Sequence, residues 1–201
     1  MFISTKILEL GSCAFRQWKA EYSHCKFIHG YRLLAKFWFG CRELDNKNWV
    51  VDFGGLDELK KILQHQFDHT LCVAGDDPHL PLFEQLHDKE IANIRVMKDG
   101  VGIEKTAQWC FNVANTHIQH ITKNRCWVEK VEVWEHEKNS AIYTLENKEI
   151  LNEKKHIAEQ YEFKLDPTVQ ESNNNQPRPA AVGNKVTTGW SNPFGGTSWG
   201  S

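Results

Sequence analysis

Residues 23–39 read SHCKFIHGYRLLAKFWF, a short polar turn that runs straight into an apolar strand. From Arg32 to Phe39 both alternating faces are apolar apart from Lys36. The spacing predicts a strand that is covered on both sides or lies at an interface. The turn before it carries Cys25 four residues ahead of the His29-Gly30 pair. A soft nucleophile beside an imidazole, with a glycine that lets the backbone turn closely, suits nucleophilic or proton-transfer chemistry. A cysteine kept only for packing gives the same pattern.

The segments on either side follow readable periods. Ile3, Thr5 and Ile7 alternate with polar neighbours and predict the strand that pairs with Arg32–Phe39. Trp49 to Asp52 reads as a short strand. Gly54 and Gly55 then break the pattern, and Leu56, Leu59, Ile62, Leu63 and Phe67 follow at helical spacing. Ile91 to Met97 reads as another short strand closed by Asp99-Gly100. Ala107, Cys110, Phe111, Ala114, Ile118 and Ile121 form the stripe of a second helix. Val131, Val133 and Glu135 share one face of the next strand, with Ser140 to Leu145 as its hairpin partner. The order β-β-α-α-β-β predicts an α+β, two-layer sandwich, an antiparallel sheet with two helices on one face. Two hairpins do not close a barrel alone, so exposed edges invite symmetric association into an oligomeric barrel.

The chain has 201 residues, 40% hydrophobic and 25% charged, with a formal net charge of -2. A near-neutral balance argues against a dedicated nucleic-acid binder. No run approaches the length of a membrane span, and MFISTKILEL at the N-terminus, with Lys6 and Glu9, is not a signal peptide. Six scattered cysteines with no CxxC pair suit reduced thiols, so a soluble cytoplasmic protein is expected. Composition divides the chain into a folded domain over 1–145, a charged extension over 146–165 and a tail over 166–201. The tail holds four of the six prolines and five of the thirteen glycines. Such a segment buries too little apolar surface to offset its ordering entropy, so disorder is expected. Trp190, Phe194 and Trp199 punctuate it like docking points.

Four further clusters carry possible chemistry. In Phe67-Asp68-His69 the aspartate can orient the imidazole and raise its basicity, or the pair is a solvated helix end. Glu104 opens the second helix, where a carboxylate also suits the positive end of the dipole. Glu135 falls on the face that carries Val131 and Val133, and a carboxylate there needs a partner. In Val50-Val51-Asp52-Phe53-Gly54 the aspartate is also a natural helix cap.

Taken in order, these motifs resemble the 6-pyruvoyltetrahydropterin synthase / 6-carboxytetrahydropterin synthase family of T-fold proteins. That family has a cysteine loop ending in His-Gly-His, a [VM]-x-D-F strand end, a Leu-Asp-His, a Pro-Thr-Ser-Glu helix start and a Val-x-Glu-Thr strand. Here they read as Cys25 to Tyr31, Val50 to Phe53, Phe67 to His69, Gly102-Ile103-Glu104 and Val133-Trp134-Glu135. The short spacer between Cys25 and His29 looks like the carboxy-forming branch, which serves deazaguanine and queuosine synthesis. The resemblance implies a lyase acting on 7,8-dihydroneopterin triphosphate or a related pterin, with a catalytic set of Cys25, Asp68 and His69. It implies substrate contacts from Glu135, Glu104, Asp52 and Phe53, with Glu135 gripping the 2-amino and N3-H edge. That role is physically sound, because a carboxylate is acceptor-only and matches two parallel donors. It implies a homo-oligomer, a trimer or dimer of trimers, and a zinc ion held by three histidines.

The zinc positions depart from the family. Phe15, in Gly11-Ser12-Cys13-Ala14-Phe15-Arg16, stands where the first ligand belongs, and Tyr31 stands at the last. His29 alone is retained, and one imidazole does not hold a catalytic zinc. The chain is therefore expected to lack the three-histidine site, unless His24 or Cys13 rebuilds it with His29. His136 replaces the threonine after Glu135, and the Pro-Thr-Ser segment is changed. A catalytically altered T-fold protein that binds a pterin or purine as sensor or scaffold is the alternative. A third reading keeps only the oligomeric shell, with the Trp-bearing tail recruiting a partner.

Overall fold

The computed structural model describes residues 1–144. The charged extension expected over 146–165 and the tail expected over 166–201 lie outside the described residues.

Two long strands, β1 (Phe2–Phe15) and β2 (His29–Cys41), form an antiparallel ladder from Phe2↔Cys41 to Phe15↔His29. Leu33, Ala35, Phe37, Phe39 and Cys41 are buried on one face of β2. On the other face Trp38 lies under the ammonium groups of Lys36 and Lys130, 4.7 and 4.2 Å from its ring centre. The face expected to be covered is thus open in a single chain, with Leu34 exposed on it. On β1 the buried positions change phase. Leu8 and Leu10 face the core, then Cys13 and Phe15 do, because the register shifts between Glu9 and Gly11. Such a bulge sets two residues against one and moves every later side chain to the other face.

The helix α1 (Asp57–Phe67) buries Leu59, Leu63 and Phe67, with Asp57 and Glu58 in its first turn, where acidic residues favour the dipole. The longer helix α3 (Ile103–Ile121) buries Ala107, Cys110, Phe111, Ala114 and Ile118 on the same core. Strand β5 (Cys126–His136) pairs with β2, and β6 (Asn139–Thr144) returns as its hairpin partner. Both long helices and both hairpin strands agree with the sequence reading.

Two parts correct it. The sheet is mixed, in the order β4-β3-β1-β2-β5-β6, because β3 (Thr70–Ala74) and β4 (Ile94–Met97) run parallel to β1 and to each other. Between them lies a third helix, α2 (Leu80–Asp88), which opens with Pro81 in its first turn. Leu71 and Val73 of β3 pack with Phe83 of α2, while Cys72 faces the main core. All five β3 residues are buried, so no alternation marked the strand. Trp49–Asp52 is not a strand. The Val50 carbonyl accepts hydrogen bonds from the Arg125 guanidinium (2.9 Å) and the Cys126 thiol (2.7 Å) instead of a neighbouring strand. All six cysteines are free thiols, and among the described residues no helix is long and apolar enough to cross a membrane.

A buried ion pair fastens the end of β1 to the loop after β3. Arg16 Nε and Nη2 donate to Asp77 at 2.7 and 2.9 Å, and the His79 amide donates to the same carboxylate at 2.9 Å. Burial pushes the Asp77 carboxyl upward, but Arg16 and the His79 amide outweigh it and hold the group below its ordinary value. Arg16→Ala strands that carboxylate, and since Arg16 is partly exposed the loss should be about 2–3 kcal/mol, below the full cost of breaking a fully buried pair. Because the folded value is depressed, the pair's stabilisation is complete above an ordinary aspartate pKa of about 4 and fades as pH falls through the lower folded value. Urea unfolding at pH 7 and at pH 3 checks both the size and the narrowing of the difference.

Candidate functional site

The end of the β1–β2 ladder gathers most of the singled-out residues. Phe15 and His29 are cross-strand partners, and Tyr31 lies two residues further along the same face. Their rings pack edge to face, with centroids 4.9 Å apart for Phe15–His29 and 5.6 Å for His29–Tyr31. His136, at the end of β5, sits 6.2 Å from the Tyr31 ring. Phe15 is fully enclosed, while His29 and Tyr31 are half-buried. The His29 Nδ1 lies 2.8 Å from the Phe27 carbonyl, which can only accept, so Nδ1 carries the hydrogen. In the neutral ring this leaves Nε2 as an acceptor.

Glu135 continues the core face of Val131 and Val133, as the alternation required, with its side chain 17% exposed. Its Oε1 accepts from Asn139 Nδ2 at 3.0 Å and lies 3.7 Å from His136 Nε2. Burial, followed by the nearby Glu135 and Cys25, raises the Tyr31 phenol above its ordinary value. The phenol therefore stays an O–H donor at neutral pH, and Tyr31 stands within electrostatic reach of both groups.

Cys25 sits in a one-turn 3-10 helix, His24–Lys26, capped by Ser23, whose hydroxyl accepts from the Cys25 amide at 3.1 Å. The Gln17 amide donates to the Cys25 carbonyl at 2.8 Å, which ties this turn to the end of β1. The same Gln17 side chain presses on Gly102 at the start of α3. A Cβ on Gly102 would come within 2.5 Å of Gln17 Nε2 and 3.5 Å of the Glu104 carboxylate. Glu104 therefore lies close to the Gly102 position that the Gln17 side chain crowds. The sequence reading did not single out Gln17 or Asn139. A glutamine and an asparagine at turns carry no signal of their own.

Asp68 and His69 are positioned by the bulge on β1. Asp68 Oδ1 accepts from the Ser12 amide at 3.0 Å and lies 2.9 Å from His69 Nδ1, and the His69 amide donates to the Ser12 carbonyl. His69 takes a left-handed backbone (φ 56), and its side chain is 85% exposed. No hydrogen bond or ion pair among the described residues joins this pair to Cys25.

A sequence model of the family described as 6-pyruvoyl tetrahydropterin synthase matches residues 11–146. The chain belongs to that family. A 6-carboxy-5,6,7,8-tetrahydropterin synthase of Rickettsia conorii is 33% identical over 57 residues, covering 28% of this chain and 41% of the relative. The match thus spans about two fifths of that relative's length. Among solved structures, an uncharacterised protein of Wolinella succinogenes superposes with a TM-score of 0.62 at 20% identity, over 72% of this chain and 98% of its own. A 6-pyruvoyl tetrahydropterin synthase of Plasmodium vivax gives 0.51 at 16% identity, over 71% and 98%. At these identities the structural likeness speaks for the fold.

The three positions that the resemblance assigns to zinc ligands meet here as Phe15, His29 and Tyr31. Phenylalanine offers no donor atom and a neutral phenol is a poor ligand, so this set does not fit zinc. The substitutes do not repair it. Cys13 turns into the core, 3.6 Å from the Cys72 sulfur, and His24 is exposed on the preceding turn. Among the described residues no group of three or more His, Cys, Asp or Glu side chains is placed to hold a metal.

The structure does not bring Asp52 and Phe53 to this end. Asp52 caps a 3-10 turn by accepting from the Gly54 amide at 2.9 Å, and both residues line a groove of about 470 Å³ with Phe2, Ile3 and Trp49. That groove lies at the Phe2↔Cys41 end, the length of β2 away from His29, about 40 Å at 3.3 Å per residue.

Gly11 is the residue on which Asp68 depends. Its φ is +106, and a Cβ there would fall 2.2 Å from Asp68 Oδ1. Gly11→Ala should cost about 2–4 kcal/mol, combining backbone strain with the displaced carboxylate. Gly55→Ala, where a Cβ meets nothing within 4 Å, should stay within about 0.5 kcal/mol. Urea unfolding of the two variants side by side tests the contrast.

Proposed function

We propose that the protein binds a reduced pterin at the His29–Tyr31 end of the ladder and acts on its side chain as a lyase of the 6-carboxytetrahydropterin synthase type. The substrate to test first is 7,8-dihydroneopterin triphosphate, in deazaguanine or pterin biosynthesis. The observation that carries this reading is Glu135. It is a largely enclosed carboxylate with Oε2 unengaged among the described residues, next to His136, whose ring lies 6.2 Å from that of Tyr31. A carboxylate so placed suits the parallel N–H donors on the pyrimidine edge of a pterin. In this reading Glu104, at the start of α3, is the second polar contact.

In this reading the Cys25 thiolate takes a proton from the ligand's side chain and the resulting thiol returns it, and the Asp68–His69 pair serves as the partner acid and base. Asp68 accepts the His69 Nδ1 hydrogen, which leaves Nε2 to exchange a proton. No step is routed through a metal. Because no hydrogen bond or ion pair among the described residues joins Cys25 to His69, this reading has the working site completed by a second copy in a homo-oligomer, a trimer or dimer of trimers. The open sheet face supports association, with Ile3, Ile7, Leu34 and Ile142 exposed.

A second reading, a pterin-binding sensor or scaffold without turnover, is favoured by the loss of donor atoms at Phe15 and Tyr31. Incubation of the full chain with 7,8-dihydroneopterin triphosphate, followed by mass spectrometry, separates the two. Formation of 6-carboxytetrahydropterin is expected, and tight binding with no product would move the protein to the second reading. Glu135→Gln replaces one acceptor with a donor and should weaken pterin binding by about 2–3 kcal/mol in calorimetry, as for a charged hydrogen bond. Cys25→Ala should abolish product while leaving affinity within about twofold, since the thiol acts in proton transfer and not in gripping the ring. Light scattering at micromolar concentration should give a multiple of the chain mass, and a monomer would sink the shared site.

A further inference from the structure

The aromatic cluster is more than a lost metal site. Phe15 is buried behind two half-exposed rings that carry complementary hydrogen-bonding atoms. The Tyr31 hydroxyl is a donor. His29, with its Nδ1 hydrogen committed to the Phe27 carbonyl, presents Nε2 as an acceptor. The two rings stand nearly perpendicular, 84° between planes and 5.6 Å between centres. A donor and an acceptor carried on neighbouring rings match a hydroxyl group, which needs an acceptor for its hydrogen and a donor for its oxygen. Phe15, 4.9 Å from the imidazole and 3% exposed, fixes the wall from behind and keeps water from that side.

We propose that Tyr31 and His29 together hold a side-chain hydroxyl of the ligand by hydrogen bonds from the chain's own side chains. This rests on the pterin reading and adds to it the feature of the ligand that is recognised: a hydroxyl on the substituent beside the ring.

Calorimetry with two ligands on the full chain tests it. 7,8-Dihydroneopterin carries the hydroxylated side chain, and 6-methyl-7,8-dihydropterin presents the same ring without hydroxyls. The unaltered protein should prefer the hydroxylated ligand, with the preference unchanged by a strong chelator. Tyr31→Phe removes one neutral hydrogen bond and should lower affinity for dihydroneopterin about fivefold to tenfold, leaving the methyl analogue within twofold. Urea unfolding of the variant reports its folding separately, so the two affinities are compared in a variant that unfolds like the unaltered protein. Equal loss of both ligands, no loss of either, or a preference that disappears with chelator overturns the proposal while leaving the pterin reading intact. Failure of the unaltered protein to bind either ligand overturns the pterin reading itself.

Discussion

The phase change at Leu10–Gly11 is the constraint on which the site depends. Up to that point even-numbered residues of β1 face the core, and beyond it odd-numbered ones do. Without the extra residue Phe15 would point to the open face of the sheet, and the cluster with His29 and Tyr31 would not form. The same bulge leaves the Ser12 amide without a place in the ladder and gives it to Asp68, at a glycine where any side chain would collide with that carboxylate. One backbone irregularity thus sets both the aromatic wall and the Asp68–His69 pair.

The rest of the site is built by tying loops to that ladder. Arg16 and Asp77 hold the end of β1 against the loop after β3, and Lys19 pairs with Asp76 beside it. Gln17 then joins the Cys25 turn to the start of α3. Charges close to the site are largely spent on such positioning, so the groups left to meet a ligand are few: Glu135, Glu104, the Cys25 thiol and the faces of His29 and Tyr31. In the proposed reading this family scaffold meets its ligand through a carboxylate, a cysteine and a set of rings.

Much of this was legible in the sequence where a period or a motif marked it. The stripes of α1 and α3 and the alternation ending at Glu135 are regular, so their faces followed from spacing alone. The β3–α2–β4 unit was not legible. Thr70–Ala74 is buried on both faces and shows no alternation, and it follows α1 so closely that it read as a helix end. Val50 and Val51 misled in the other direction, because an apolar pair buried under Arg125 looks like a strand. The residue identities at 15, 29 and 31 were plain from the motif, but their convergence as edge-to-face rings depends on the bulge, which only Gly11 hinted at. The distance between Asp52 and Cys25 is a property of the long ladder and not of any motif.

A crystal structure of the full chain with bound 7,8-dihydroneopterin tests the central claim most directly. The account predicts the pyrimidine edge of the pterin on Glu135 and a side-chain hydroxyl between Tyr31 and His29, with Phe15 behind them. A ligand seated in the groove at Trp49 and Phe53, or a metal ion standing between the ligand and His29, would contradict it.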